Sequence, residues 1–216
     1  MRGLTKKIWN MGILPIIQIK DLSNASKLAD ALRKGGMDLA EVVFRTDEAA
    51  EAIHLMKKEY PELTIGAGTV LTRDQVDQAF AAGATFTVSP GVDSDIVGYS
   101  FSRGMDSIPG CATPTEVQMA HKLGVEVVKF FPAAQMGGLS TINAMSAPFP
   151  KMGFLPSNGV GFQNIDEYLK NPHVAGCAGI FPCPPQLIQE GKWDEITGLC
   201  KKALAIAVES RKTIVK

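Results

Sequence analysis

The chain has 216 residues, 45% of them hydrophobic and 20% charged, enough to bury one sizeable core in a single domain over 1–216. Lys plus Arg is 22 and Asp plus Glu is 22, so the formal net charge is zero, which argues against a nucleic-acid partner. No segment approaches the roughly 18 consecutive apolar residues of a membrane-spanning helix, because the nearest run, 11–17, is broken by Pro15 and closed by Gln18 and Lys20.

Arg2, Lys6 and Lys7 before that run imitate a signal peptide, but no small-residue cleavage site follows and the chain passes directly into strand-like sequence. We therefore expect a cytoplasmic protein. Strands are predicted over 13–19, 39–44, 63–67, 85–89, 107–109, 126–131, 154–157 and 176–180. Several are continuously apolar, as parallel strands covered on both faces are. Between them Ala25, Leu28 and Leu32, and Ile53, Met56 and Tyr60, recur at helical spacing. Thr72 with Gln75, and Thr113 with Pro114 and Glu116, fit capping boxes. Gly36, Gly83, Gly104 and Gly124 stand where a left-handed residue ends a helix.

Eight strand–helix units of this length predict an α/β fold, a single-domain (β/α)8 barrel. An open doubly wound sheet would carry G-x-G-x-x-G after its first strand. The first turn is Lys20-Asp-Leu-Ser, and the one G-x-G, Gly66-Ala-Gly68, lacks its third glycine and reads as a tight turn ending strand three. Cys111, Cys177, Cys183 and Cys200 show no metal spacing with His54, His121 or His173, so reduced and mostly buried thiols are expected.

Charged residues inside strands are the informative exceptions. Lys129 lies in Val-Val-Lys-Phe-Phe-Pro, and alternation puts Val125, Val127, Lys129 and Phe131 on one face. Burying an ammonium is costly, and a lysine held neutral is a nucleophile towards a carbonyl. The plain alternative is a lysine at a strand end that reaches back to water. In Leu39-Ala-Glu-Val-Val-Phe-Arg, Glu41 and Arg45 share a face; four residues span about 13 Å, which sets Arg45 at the mouth and Glu41 deeper. Strands two and six contribute to the same interior layer of a barrel, so Glu41 and Lys129 are expected to face each other. A merely structural pair would be a poor stabiliser. Thr69, Ser89-Pro90-Gly91 and Ser157-Asn158-Gly159 follow strands, at the end where barrel active sites lie. Gly159 and Gly179, after strands seven and eight, suit backbone amides that hold an anion.

Glu41-Val-Val-Phe-Arg45-Thr, Gly66-Ala-Gly-Thr-Val-Leu71, Ser89-Pro-Gly91, Ile108-Pro-Gly110 and Lys129-Phe-Phe-Pro-Ala133 together resemble the class I aldolases acting on 2-keto-3-deoxy-6-phosphogluconate and 2-keto-4-hydroxyglutarate, over essentially the whole chain. The resemblance implies a barrel lyase that works without metal or cofactor, is usually a homotrimer, and forms pyruvate and an aldehyde. It implies Lys129 as the Schiff-base lysine, Glu41 as the general acid/base, Arg45 and Thr69 on the pyruvate carboxylate, and Pro90 and Phe131 as pocket walls.

That family usually carries Thr-Gly-Gly after strand seven and Gly-Gly-Ser after strand eight as a phosphate cradle. Here the positions read Ser157-Asn158-Gly159 and Ala178-Gly179-Ile180, and Ile180 donates no hydrogen bond. The same pyruvate chemistry on an unphosphorylated 2-keto-3-deoxy acid is therefore an alternative expectation. A non-catalytic barrel that binds a keto acid has no reason to keep the buried amine. A phosphosugar epimerase or isomerase does not need a strand lysine facing a glutamate, and a metal-dependent aldolase needs a ligand set the three histidines do not offer.

Overall fold

Leu4 and Ile8 stand one helical turn apart, and the first residues form a helix, α1 (Gly3–Met11), instead of running directly into a strand. The structure, a computed structural model, describes residues 2–213. Gly12, at φ 69°, ends α1 and donates its N–H to Ile8 O at 2.8 Å. Arg2 pairs with Asp106 at 2.9 Å and Lys7 with Asp38 at 3.0 Å, so α1 lies across the N-terminal ends of the strands. Its pattern was masked in the sequence by Lys6 and Lys7, which read as a basic leader.

Strands and helices then alternate: β1 (Ile13–Ile17), α2 (Ala25–Lys34), β2 (Leu39–Val43), α3 (Ala49–Glu59), β3 (Thr64–Gly68), α4 (Arg73–Ala81), β4 (Phe86–Val88) and α5 (Ser94–Ser102). The second half runs β5 (Asp106–Ile108), β6 (Gly110–Cys111), α6 (Pro114–Lys122), β7 (Val127–Phe130), α7 (Gly138–Ser146), β8 (Gly153–Pro156), α8 (Ile165–Leu169), β9 (Cys177–Gly179), α9 (Pro185–Gln189) and α10 (Trp193–Arg211). The first predicted strand, 13–19, stops at Ile17, and the remaining boundaries agree within one or two residues apart from the fifth.

All pairings are parallel, in a six-stranded sheet ordered β5-β4-β3-β2-β1-β9 and a three-stranded sheet ordered β6-β7-β8. The chain is thus an α/β protein on curled parallel sheet. The fifth predicted strand, 107–109, is split. Pro109 has no N–H to give to a ladder, so β5 pairs with β4 and β6 pairs with β7 on either side of it. The Pro109 carbonyl still accepts the Lys129 N–H at 2.9 Å. Past the end of β8, Ser157 bridges to Ala178 of β9.

Alternation sorts the core into two clusters. Val42, Ile65, Val128 and Phe154 pack outward against Leu28, Ile53, Val76 and Ile142 of the helices. Leu14, Leu39, Phe86, Val88, Ile108, Val127, Leu155 and Ala178 meet one another and Ile8 of α1 on the inner side. Leu39 inward and Val42 outward put Glu41 inward, and Val127 does the same for Lys129.

Helix ends follow the expected punctuation. Gly36, Gly83, Gly104 and Gly124 take φ of 81°, 94°, 76° and 80°. The Thr113–Glu116 box is complete. At α4 only half forms: Thr72 accepts the Gln75 N–H, while the Gln75 side chain accepts from Leu71 N at 2.7 Å instead of from Thr72. Gly66 and Gly68 do not make a turn, because both are ladder residues of β3 paired with β2.

Candidate active site

Lys129 and Glu41 are both buried, 5% and 0% exposed, with Lys129 keeping a small opening to solvent. Glu41 pairs in register with Ile16 and Gly66, and Lys129 with Gly110 and Leu155. Lys129 Nζ donates to Glu41 Oε1 at 3.4 Å. Glu41 Oε2 is buried with no hydrogen-bond partner among the described residues. An orphaned carboxylate oxygen beside a buried amine is a costly arrangement for structure alone. Phe131, two residues beyond Lys129 on its face, brings its ring centroid to 5.6 Å from Nζ.

Room for the carboxylate comes from β3. A Cβ on Gly68 would lie 2.2 Å from Glu41 Oε1, and one on Gly66 would lie 2.2 Å from the Phe86 ring. These two glycines, read from sequence as a turn, are the positions that sequence reasoning missed. The signal was their spacing of two, one face of a strand kept free of side chains.

Arg45 is exposed beyond the end of β2 and donates from Nε to Thr69 Oγ1 at 3.1 Å. Thr69 takes φ 57°. A β-branched residue is strained there, and such strain collects at binding sites that hold it in place. Pro90 is exposed after β4, and its turn reaches over β6 because residue 110 is glycine: a Cβ there would lie 2.0 Å from Pro90 O. Ser89 Oγ donates to Gly91 O at 2.8 Å and holds the same turn.

The residues after β8 form a second group. Ser157 is buried and bridged to β9, and its hydroxyl makes no hydrogen bond within the described residues. Asn158 and Gly159 take φ of 74° and 78°, the left-handed conformation that Asn tolerates. The Asn158 carbonyl accepts from Ala134 N at 3.2 Å and Gly159 O from Asn164 Nδ2 at 2.8 Å. Gly179 ends β9, and Ile180 beyond it is 53% exposed. Among the described residues no hydrogen bond joins this group to Lys129 or Glu41.

His54 and His121 lie on α3 and α6, and His173 lies in the loop after α8. No group of three or more His, Cys, Asp and Glu among the described residues is placed to hold a metal ion. Cys111, Cys177, Cys183 and Cys200 are all buried and free. Burial, and then the nearby Glu116 carboxylate, pushes the Cys111 thiol up to about 12.

The sequence profile of KDPG and KHG aldolases matches residues 4–199. The chain belongs to that family. It is 40% identical over 194 residues to 2-dehydro-3-deoxy-phosphogluconate aldolase of Treponema pallidum, covering 90% of this chain and 92% of that one. It is 34% identical over 192 residues to the KHG/KDPG aldolase of Escherichia coli, covering 89% and 90%. Among solved structures, it superposes on KDPG aldolase from Legionella pneumophila, which holds pyruvate as a covalent carbinolamine intermediate, with TM-score 0.89. Identity there is 36%, over 92% of this chain and 97% of the other. The Zymomonas mobilis 2-keto-3-deoxy-6-phosphogluconate aldolase with 3-phosphoglycerate gives TM-score 0.86 at 35% identity, over 94% and 95%.

Proposed function

We propose that this family member is a class I aldolase, a lyase that cleaves a 2-keto-3-deoxy sugar acid of the 2-keto-3-deoxy-6-phosphogluconate or 2-keto-4-hydroxyglutarate type to pyruvate and an aldehyde. The observation that carries the reading is a buried amine 3.4 Å from a buried carboxylate with one oxygen unpartnered.

Each group has one task. Glu41 takes a proton from Lys129, the freed Nζ amine attacks the C2 carbonyl carbon, and the carbinolamine loses water as Glu41 passes that proton to the departing hydroxyl. The iminium draws electrons from C3. Glu41, now a carboxylate, takes the proton of the C4 hydroxyl while the C3–C4 bond breaks. The aldehyde leaves, and its former bonding pair is held as the enamine of pyruvate. Protonation at C3 and addition of water then release pyruvate and restore the amine. A positioned acid/base contributes about 10²–10⁴ in rate. Arg45, oriented by Thr69, offers the planar fork that a carboxylate accepts in two bonds. Phe131 and Pro90 wall the reacting carbons, and Ser157, Asn158, Gly159 and Gly179 lie towards the departing aldehyde.

The same proposal takes the two sheets as one closed (β/α)8 barrel and a single domain. The break at Pro109 and the Ser157–Ala178 bridge are the seams of that ring. A homotrimer is what the resemblance implies, and light scattering in solution tests it; the cytoplasmic location expected from the reduced thiols goes with the same reading. For the chemistry, incubation with pyruvate and borohydride followed by peptide mass spectrometry is expected to find a stable adduct on the peptide containing Lys129. An unmodified protein removes the aldolase reading, and an adduct elsewhere moves the site.

A further inference from the structure

Two side chains lie over β3 where β3 has none of its own. Register sets Gly66 between Glu41 on β2 and Phe86 on β4, and Gly68 between Val43 and Val88. The place of a Gly66 Cβ is taken by the Phe86 ring, with Cε2, Cζ and Cδ2 at 2.2, 2.3 and 2.5 Å. The place of a Gly68 Cβ is taken by Glu41, which therefore does not reach straight across its own row. It leans two residues further along β3, about 6.6 Å, to where Oε1 accepts from Lys129 Nζ at 3.4 Å.

Phe86 is fully buried and belongs to the inner cluster with Leu14, Leu39 and Ile108, whose side chains offer no hydrogen bond. Its ring is the part of that cluster that occupies the Glu41 row. Neighbouring groups settle into the space left by a truncated core side chain, and here the neighbour in the row is a carboxylate whose Oε2 already lacks a partner. Glu41 lying over Gly66 would no longer stand against the amine. A displacement of about 1 Å can cost about a hundredfold in rate. Arg45 and Thr69, which would grip the substrate carboxylate, lie beyond the ends of β2 and β3 and do not depend on this row.

We infer that Phe86 is a positioning residue: its ring fills the space over Gly66 and so holds the Glu41 carboxylate against Lys129. The inference rests on the aldolase reading above and adds a residue that acts through Glu41. The test follows pyruvate release from 2-keto-3-deoxy-6-phosphogluconate or 2-keto-4-hydroxyglutarate, whichever the unaltered protein turns over faster. Phe86→Leu, which loses the reach of the ring, is expected to lower kcat about thirtyfold with KM unchanged, the pattern of an interaction lost only in the transition state. Phe86→Met, long enough to cover Gly66, keeps kcat within about threefold. Gly66→Ala puts a methyl where the ring lies and lowers kcat while Phe86 is present; in Phe86→Leu the same methyl fills the gap and raises kcat. Phe154→Leu removes a ring from the outer side of the sheet, so it lowers the melting temperature while kcat stays level.

Wild-type kcat in Phe86→Leu, an equal fall in kcat in Phe154→Leu, or no gain from the methyl at residue 66 in Phe86→Leu overturns the inference. If Phe86→Leu does not fold, Phe86→Met and Gly66→Ala carry the comparison, and a kcat unmoved by Gly66→Ala overturns it. Pyruvate trapping on the unaltered protein separates the two levels. With Lys129 trapped, a failed comparison removes only the role of Phe86; with Lys129 untrapped, both fall.

Discussion

Glu41 occupies the space that a side chain on Gly68 would need. The clash distance is 2.2 Å to Oε1, with the Glu41 Cγ and Cδ at 2.6 and 2.7 Å. The carboxylate is fixed between its own strand and a neighbour stripped of side chains, so its position depends on β3 as much as on β2. Gly68→Ala is expected to displace Glu41 from Lys129 and lower kcat/KM by about two orders of magnitude, within the range a positioned acid/base supplies. Far-UV circular dichroism should show the fold retained, since one added methyl costs about 1–3 kcal/mol. An alanine variant with full activity would show that the carboxylate's position is unimportant.

Lys129→Arg separates chemistry from architecture. Arginine keeps a cation beside Glu41 but has no amine that can become a Schiff base. It is expected to abolish borohydride trapping of pyruvate while the protein remains folded. Glu41→Gln keeps shape and removes the proton carrier, so cleavage should slow by about 10²–10⁴ while Lys129 remains present. A folded Lys129→Arg protein that still cleaves substrate would make the pair structural.

Thr69 holds a left-handed backbone at φ 57° and accepts from Arg45 Nε. Glycine adopts that conformation freely, so Thr69→Gly relieves a strain of about 1–3 kcal/mol while removing the hydroxyl that orients Arg45. Stability and binding should therefore move in opposite directions. Thermal melting is expected to stay level or rise, and the pyruvate concentration needed for half-maximal trapping should rise about tenfold, the loss of one charge-assisted bond. A melting point that falls together with affinity would show that Thr69 is held there for stability.

Burial should silence the thiols. All four cysteines are buried, and the Cys111 thiol is pushed up to about 12 by that burial. At mildly alkaline pH the folded protein should show no fast reaction with a disulfide reagent, because the thiolate is the reacting form. Unfolding in guanidinium should release all four equivalents. A fast native equivalent would mean that one thiol lies near a path to solvent.

Sequence patterning carried furthest where one rule acted alone. Alternation placed Glu41 and Lys129 on the inner face, and glycine punctuation placed the left-handed helix ends at Gly36, Gly83, Gly104 and Gly124. Two rules in competition gave the differences. At α1, apolar Leu4 and Ile8 were outweighed by the basic residues that prove to bind Asp38 and Asp106 at the strand starts. At Gly66 and Gly68, glycine's preference for turns hid its other use, the absence of a Cβ where Phe86 and Glu41 need space. At Pro109, a single residue without an N–H divided a strand whose two halves serve different neighbours. Each of those distinctions depends on what lies across the sheet, which a string of residues does not display.

The capping box at α6 gives a pH-dependent prediction. Glu116 is partly buried, which works to raise its pKa, but the N–H of Ala112 at 2.7 Å and the N–H and hydroxyl of Thr113 at 2.8 and 2.9 Å outweigh this and hold it below the ordinary 4.5. Those donors favour the carboxylate. Because the folded carboxyl titrates below the unfolded one, its stabilisation is complete above the unfolded value and drains away as pH falls through the folded one. Glu116→Gln should therefore cost about 1 kcal/mol at neutral pH, the worth of a helix cap. For a chain of this size that lowers Tm by roughly 2–4 °C. As pH is lowered well beyond 4.5 the two melting points should converge, since the wild-type carboxyl is then protonated too. Melting curves of both proteins across that range provide the check, and a Tm difference that persists or widens in acid would show that the carboxylate's charge is not what caps the helix.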